Sequence, residues 1–287
     1  EGHDTDRADK TMQFNMNPCW SRAVELVQGN FSLLTAIAAI FFLMPTVAIY
    51  LLIPDMQTLA DPMADPEIVA ERMQDMIGPV MGIILIATLV QFVGYGAMVA
   101  LMGEDRPTVG QALSRGLKAL PSLLAVLILF AIAYIVGAML IMLPFSILTG
   151  VSGAPALGLI GVIPVLLFIV WLMARLSMSL PVMVLDGTLN PLKAVGESFK
   201  LTKPKQWPIL LFWFVIFVIM SIIGFLFQGV FGLVAAMFGT GTVAMLVVGI
   251  SSGAWSMVAG MLVSAIAVAM YAQLSGPSTA TIEETFD

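Results

Sequence analysis

The chain has 287 residues, of which 60% are hydrophobic and 10% charged, and its mean hydropathy is +1.02. A soluble domain carries about a quarter charged residues, so this chain lacks the polar surface of one and most of what it exposes must face lipid. Its net charge of −6 comes with no long basic run and no RNA-binding signature, which argues against nucleic acid as a partner.

The chain opens Glu1-Gly2-His3-Asp4. Residues 1–11 read as a disordered tail or a vector-derived remnant, with Met12 as a native start. No signal peptide is evident, because the first apolar run is too long and no small-residue cleavage site follows it. The single cysteine, Cys19, has no partner for a disulfide, and the single histidine, His3, sits in a polar stretch. No Cys/His cluster is available for zinc, and the expectation is no metal, no cofactor and no catalytic residue.

A bilayer core takes about 20 apolar residues per helix. Six stretches qualify, near 31–53, 77–102, 121–148, 156–180, 208–237 and 243–274. Without water to satisfy the backbone they must be helices, and their continuous rather than alternating apolar character excludes a barrel. The predicted fold is all-α and polytopic: a single membrane domain over 12–276, followed by an acidic C-terminal tail over 277–287.

Cations set the orientation. Arg7, Lys10 and Arg22 precede the first span. Arg106, Arg115 and Lys118 fall in the second loop on that side, and Arg175, Lys193, Lys200, Lys203 and Lys205 in the third. The opposite side holds only Arg72. This bias predicts a cytoplasmic N-terminus, and an even number of spans returns the C-terminus to the same side. The loop over 54–76 carries Asp55, Asp61, Asp65, Glu67, Glu71 and Asp75 and reads as a solvated acidic face. Asp65-Pro66-Glu67 predicts the start of a helix leading into the second span.

Each segment before an odd-numbered span reads as an amphipathic helix suited to the membrane interface. The first starts at Asn17-Pro18, with Ala23, Val24, Leu26 and Val27 as its apolar residues. The second starts at Thr108, with Val109, Leu113 and Leu120 opposite Gln111, Arg115 and Lys118. The third starts at Asn190-Pro191, with Leu192, Val195 and Phe199 largely opposite Lys193, Glu197 and Lys200. Glu104 precedes Thr108 by the same spacing as Asp186 precedes Asn190. A threefold unit of helix plus hairpin follows.

The stretch from Arg175 to Trp207 reads RLSMSLPVMVLDGTLNPLKAVGESFKLTKPKQW. It resembles the membrane domain attached to some bacterial glycerophosphoryl diester phosphodiesterases, and related stand-alone membrane proteins. That family shows an arginine late in a span, a proline, an acid, a Pro-x-x-Ala helix with a serine, then Leu-Thr and a tryptophan. Here these are Arg175, Pro181, Asp186, Pro191 with Ala194, Ser198, Leu201-Thr202 and Trp207. Where the family has basic residues beside its serine, Glu197 precedes Ser198. The resemblance implies a stand-alone membrane protein without the catalytic barrel, so the family's name does not imply its phosphodiesterase activity.

Arg175 is the most unusual charge, lying between apolar runs, and charge near a membrane defaults to a functional hypothesis. Two readings stand: a guanidinium that binds lipid phosphate, or an arginine that snorkels or pairs with Asp186. Lys193, Lys200, Lys203 and Lys205 form a juxtamembrane basic cluster. Together with Arg175 and Asp186 they are the candidate lipid-headgroup residues. In the last span Gly249, Gly253, Gly260 and Ser264 make a small-residue surface for close helix packing, inside the chain or between copies. Gln91 and Gln228 read as hydrogen-bonding residues between helices. The 21 methionines, including Met73, Met76, Met173 and Met178, read as packing.

The function expected is a non-enzymatic protein of the bacterial inner membrane, as the resemblance implies, that organises lipid or serves as a subunit or scaffold of a membrane complex. The expected partners are membrane lipids, anionic phospholipid among them, and a membrane protein or a second copy. The alternative is a passive carrier or channel for a small or amphipathic solute, with Gln91, Gln228 and Ser251 lining a pathway. A weaker alternative is a lipid-modifying enzyme.

Overall fold

A computed structural model describes residues 14–53, 66–239 and 241–276, the side chains of 66–77, 79, 155 and 157 excepted. His3, Asp55, Asp61, Asp65, Arg7, Lys10, the tail over 1–11 and the acidic tail over 277–287 therefore lie outside the described residues, as do the side chains of Glu67, Glu71, Arg72 and Asp75.

The protein is an all-α polytopic membrane protein. Among the described residues, six segments are long and apolar enough to cross a bilayer: Phe31–Leu52, Val80–Leu101, Val109–Ser152, Gly158–Leu185, Pro191–Ala236 and Thr242–Ser275. Each overlaps one of the six expected stretches. Leu140, Val151, Leu159, Phe225 and Met237 are among the many large apolar side chains left open, as a surface covered by acyl chains requires.

The helices, in chain order, are α1 (Met16–Gly29), α2 (Phe31–Ala38), α3 (Met44–Leu52), α4 (Pro66–Leu101), α5 (Val109–Ser152), α6 (Pro155–Leu176), α7 (Ser179–Leu185), α8 (Pro191–Thr202), α9 (Gln206–Ala236) and α10 (Thr242–Ser275). A π-helical turn, Ala39–Leu43, joins α2 to α3. Its cause is Pro45, which has no N–H to donate and whose ring would clash with the carbonyl four residues back. Widening the turn lets Met44 donate to Ala39 O instead, so the first span continues through the proline.

The interfacial helices differ in how they meet their spans. α1 is set off from α2 by Asn30, and α8 from α9 by a 3-10 turn at Lys203–Lys205. In the second unit there is no break: α5 runs 44 residues through Pro121, about 66 Å of helix. No helix break therefore marks residue 121, where the third span is expected to begin. The caps follow the sequence closely. Thr108 and Gln111 form a reciprocal capping box, with Thr108 N donating to Gln111 Oε1 at 3.0 Å and Gln111 N to Thr108 Oγ1 at 3.4 Å. Asn190 Oδ1 accepts from Lys193 N at 3.1 Å. The first helix begins one residue earlier than Asn17, with Cys19 N donating to Asn15 O at 3.1 Å.

By backbone packing the chain forms two compact units. The first holds the described residues up to Ala23, Pro121–Phe217 and those from Ile266 onward; the second holds Val24–Leu120 and Val218–Ala265. In the second unit α10 lies against the first span. A Cβ built on Gly260 would stand 2.8 Å from the Phe42 ring, one on Gly253 3.0 Å from Leu43 O, and one on Gly249 3.2 Å from Tyr50. Lipid tails provide no hydrophobic drive to bring these helices together, so backbone proximity and dispersion contacts hold them. The small surface of α10 thus receives the side chains of the first span, and Ser264 on the same helix is buried.

Candidate functional site

In the first unit, α8 packs on both α6 and α7. The face it buries is neither of those expected from its amphipathic pattern. Leu192 is 68% exposed, while Ala194, Ser198 and Thr202 are sealed in the interior. These three recur every fourth residue, so they form one stripe. A small residue, a hydroxyl and a second hydroxyl let α8 approach the end of α6 closely. Ser198 Oγ donates to Arg175 O at 2.7 Å, and Thr202 Oγ1 returns a bond to Ser198 O at 2.8 Å.

Arg175 is buried where α8 meets the end of α6. It is 7% exposed. Its Nη1 donates to Thr202 Oγ1 at 2.9 Å, and the Phe199 ring covers the guanidinium at 4.4 Å. Trp171 stands edge-on to Phe199, with ring centroids 6.3 Å apart. Arg175 does not pair with Asp186. Asp186 is exposed and accepts from Tyr271 Oη at 2.6 Å, a bond that ties the turn after α7 to the end of α10. Gly187 makes that turn with φ +67°, a backbone conformation that suits glycine. Ser122 Oγ donates to Leu189 O and fixes the far end of the same loop. Among the described residues no carboxylate pairs with Arg175.

The lysines lie around α8. Lys193, Lys200 and Lys203 are exposed and Lys205 is half-buried. Lys200 pairs with Glu197 at 2.9 Å, so the acid that departs from the family pattern offsets one cation of this face. Arg175, Asp186 and the four lysines thus belong to one unit, on α6, α8 and the segments that follow them. Gly249, Gly253, Gly260 and Ser264 belong to the other.

The same helix contact occurs a second time in the chain. Thr108, Ala112, Gly116 and Leu120 stand to Val93 at the same sequence offset as Asn190, Ala194, Ser198 and Thr202 stand to Arg175. The geometry repeats as well: a Cβ built on Gly116 would meet Val93 O at 2.6 Å, the counterpart of the Ser198 to Arg175 bond. Ala112 is fully buried, as Ala194 is. The repeat expected from the amphipathic segments is therefore also a repeat of helix contact. By sequence offset the second copy has Val93, Ala97, Gly116 and Leu120 where the third has Arg175, Ser179, Ser198 and Thr202. The fold does not require the polar set.

The first copy adds Cys19 and Ala23, both without exposed surface, spaced from Asn15 as Ala194 and Ser198 are from Asn190. Burial pushes the Cys19 thiol up to about 12. The neutral thiol is the buried form, so this packing supports the fold below the ordinary thiol range and loses that support as pH climbs toward the raised value. In the folded protein in detergent at pH 8, maleimide should modify Cys19 about a thousandfold more slowly than a free thiol, and at the ordinary rate after unfolding. Equal rates would contradict the burial.

The family model for the membrane domain of glycerophosphoryl diester phosphodiesterase matches residues 141–284, half of the chain. The chain belongs to this family. No curated protein and no solved structure matches it. The structure gives the motif of this phosphodiesterase membrane-domain member a physical content: Arg175, Ala194, Ser198 and Thr202 are the parts of one helix contact, and Pro181 lies buried in α7 beside it. Trp207, by contrast, is 69% exposed at the start of α9, in keeping with an aromatic side chain at a membrane interface. Residue types alone did not single out Ser179, Phe199 as a cover, or Tyr271. The spacing of Ser198 and Thr202 on one stripe, and the offset that relates them to Gly116 and Leu120, were the signals available.

In the second unit Gln228 bonds at both ends of its amide: Nε2 donates to Ser252 Oγ at 3.0 Å, and Oε1 accepts from Ser251 Oγ at 3.1 Å. Ser252 Oγ continues to Tyr50 Oη at 3.3 Å. These bonds join α3, α9 and α10, which is the role of polar glue between helices in lipid.

Proposed function

We propose that this chain is a non-enzymatic integral membrane protein that holds anionic phospholipid at its basic end, and so organises lipid or serves as a subunit of a membrane complex. One observation carries the reading: Arg175 is a buried cation that no carboxylate among the described residues pairs with, in a place where the second copy of the same helix contact has Val93. Burying a charge is costly unless it is paired. A fold that makes this contact with an apolar residue elsewhere, and keeps an arginine here, has a use for an anion. The exposed lysines of α8 and the turn after it suit the same ligand, each contributing about 1 kcal/mol of attraction to an anionic surface. The cation bias supports an orientation with this end, and both termini, facing the cytoplasm, and we read the membrane as a bacterial inner membrane.

Native mass spectrometry of protein extracted gently from its own membrane tests the reading. Retained anionic lipid, lost on charge reversal of Lys193, Lys203 and Lys205 together with Arg175, is the expected result. A stoichiometric membrane-protein partner would favour the subunit form. A bare monomer with neither would overturn both forms and favour a passive carrier, for which liposome flux is the measurement.

A further inference from the structure

We infer that Arg175 and Ser179 form a seat for one phosphate group, with the guanidinium offering its side edge to two phosphate oxygens and the serine hydroxyl bonding a third. This rests on the reading above and assigns its ligand chemistry.

The guanidinium is held on two sides. Phe199 covers one face at 4.4 Å, and Thr202 takes Nη1 at 2.9 Å. What remains is the edge formed by Nε and Nη2. Arg175 Nε is buried with no hydrogen-bond partner among the described residues, and the guanidinium's bond to Thr202 is made through Nη1 alone. That edge is the planar two-donor fork that matches two oxygens of a phosphate or carboxylate. A third group lies one turn on. Ser179 Oγ is buried without a partner, and Ser179 is 2% exposed. Ser177 and Met178 between them keep right-handed helical backbone angles. Arg175 in the last turn of α6 and Ser179 at the start of α7 thus lie four residues apart across the turn between the two helices.

Buried donors without acceptors are rare in finished interiors, because each costs about 1–3 kcal/mol. Two such groups, Arg175 Nε and Ser179 Oγ, beside a cation call for a ligand that is negative and rich in acceptors. A phosphate has both properties and a third oxygen for the serine, which a carboxylate lacks. The second copy of the repeat has Val93 and Ala97 at these two places, so neither donor is a requirement of the fold. The exposed lysines are a different device: flexible point charges that raise the local concentration of anionic lipid but fix no geometry. A phospholipid headgroup and a free phosphate ion share the chemistry, and the experiment separates them.

The test titrates the full chain in neutral detergent with phosphatidylglycerol, with diacylglycerol bearing the same acyl chains, and with inorganic phosphate, reading occupancy by native mass spectrometry. The variants are Arg175→Lys, which keeps the charge and loses the fork, and Ser179→Ala, which installs the residue of the second copy. The expected result is one phosphatidylglycerol retained in preference to diacylglycerol. Its apparent Kd should rise about tenfold to a hundredfold in Arg175→Lys and about tenfold in Ser179→Ala. Neutralising Lys193 and Lys203 should leave the single tightly held lipid in place. Should Arg175→Lys not fold, Ser179→Ala decides alone.

Unchanged affinity in the folded variants would overturn the seat, while lipid loss on reversal of the lysines would still sustain the broader reading. Inorganic phosphate binding with the same dependence on Arg175 and Ser179, without lipid preference, would uphold the seat and overturn the lipid reading. No preference for any phosphate-bearing probe would overturn both.

Discussion

Gly116→Leu and Ser198→Leu should each destabilise the folded protein by about 3 kcal/mol or more, the upper range for overpacking a tight interior. The first is argued from backbone. A Cβ on Gly116 would meet Val93 O at 2.6 Å and Ala97 N at 2.9 Å, and a Cβ on Gly96 would meet Gly116 Cα at 2.7 Å. These are main-chain atoms of two helices, and no rotamer change can move them. Ser198 occupies the corresponding place and converts the same close approach into a 2.7 Å hydrogen bond to Arg175 O; a leucine there removes the bond and adds bulk where the residue has no exposed surface. The control is Gly110→Ala on the same helix as Gly116. Nothing stands within 4 Å of a Cβ at Gly110, and replacing a helical glycine by alanine favours the helix by about 0.5–1 kcal/mol. Unfolding in mixed micelles with increasing sodium dodecyl sulfate measures all three. A Gly116→Leu protein as stable as the parent would mean that the two helices do not meet as described.

Arg175→Met is expected to leave the fold intact, with a thermal midpoint equal to or above that of the parent, and to abolish selective retention of anionic lipid. The expectation follows from the internal repeat. Val93 shows that an apolar side chain serves at this position in the second copy of the contact. Thr202 Oγ1 keeps its own bond to Ser198 O at 2.8 Å when the guanidinium is gone, so no hydroxyl is orphaned. Replacing a buried charge by an apolar chain of similar length often stabilises by about 1–4 kcal/mol. The reciprocal change, Val93→Arg, should be severe, because the second copy has Gly116 and Leu120 where the third has the hydroxyls of Ser198 and Thr202. Thermal unfolding in detergent, followed by lipid analysis of the purified protein, distinguishes the cases. Collapse of Arg175→Met would make the arginine a structural part and remove the main support for a ligand.

The distinction between these two predictions is between a contact the fold needs and a chemistry placed on it. Close approach of the interfacial helix to the preceding span occurs twice, with glycine in one copy and serine in the other. Only the third copy lines it with a guanidinium and three hydroxyls. The lysines and Glu197 modulate the charge outside, and the Tyr271–Asp186 bond holds the loop that leads into α8.

Sequence alone determined that this is a helical membrane protein with six spans, because a run of about 20 apolar residues has one way to satisfy its backbone in lipid. It also determined the helix starts at Thr108 and Asn190, where a side chain one turn from the first free N–H is a local matter. It identified Arg175 as unusual and the family by its motif, since both are properties of order along the chain. Tertiary structure alone decided which face of α8 is buried. The amphipathic pattern pointed to Leu192, Val195 and Phe199, but the partner is the end of another helix at close range, so the small residues Ala194, Ser198 and Thr202 turn inward and bulk is excluded. It also decided that Asp186 bonds Tyr271 rather than Arg175, and that Gly249, Gly253 and Gly260 receive Tyr50, Leu43 and Phe42. Such pairings join residues far apart in the chain, and hydropathy, which sees only what is apolar and how often it recurs, carries no record of which small surface meets which side chain.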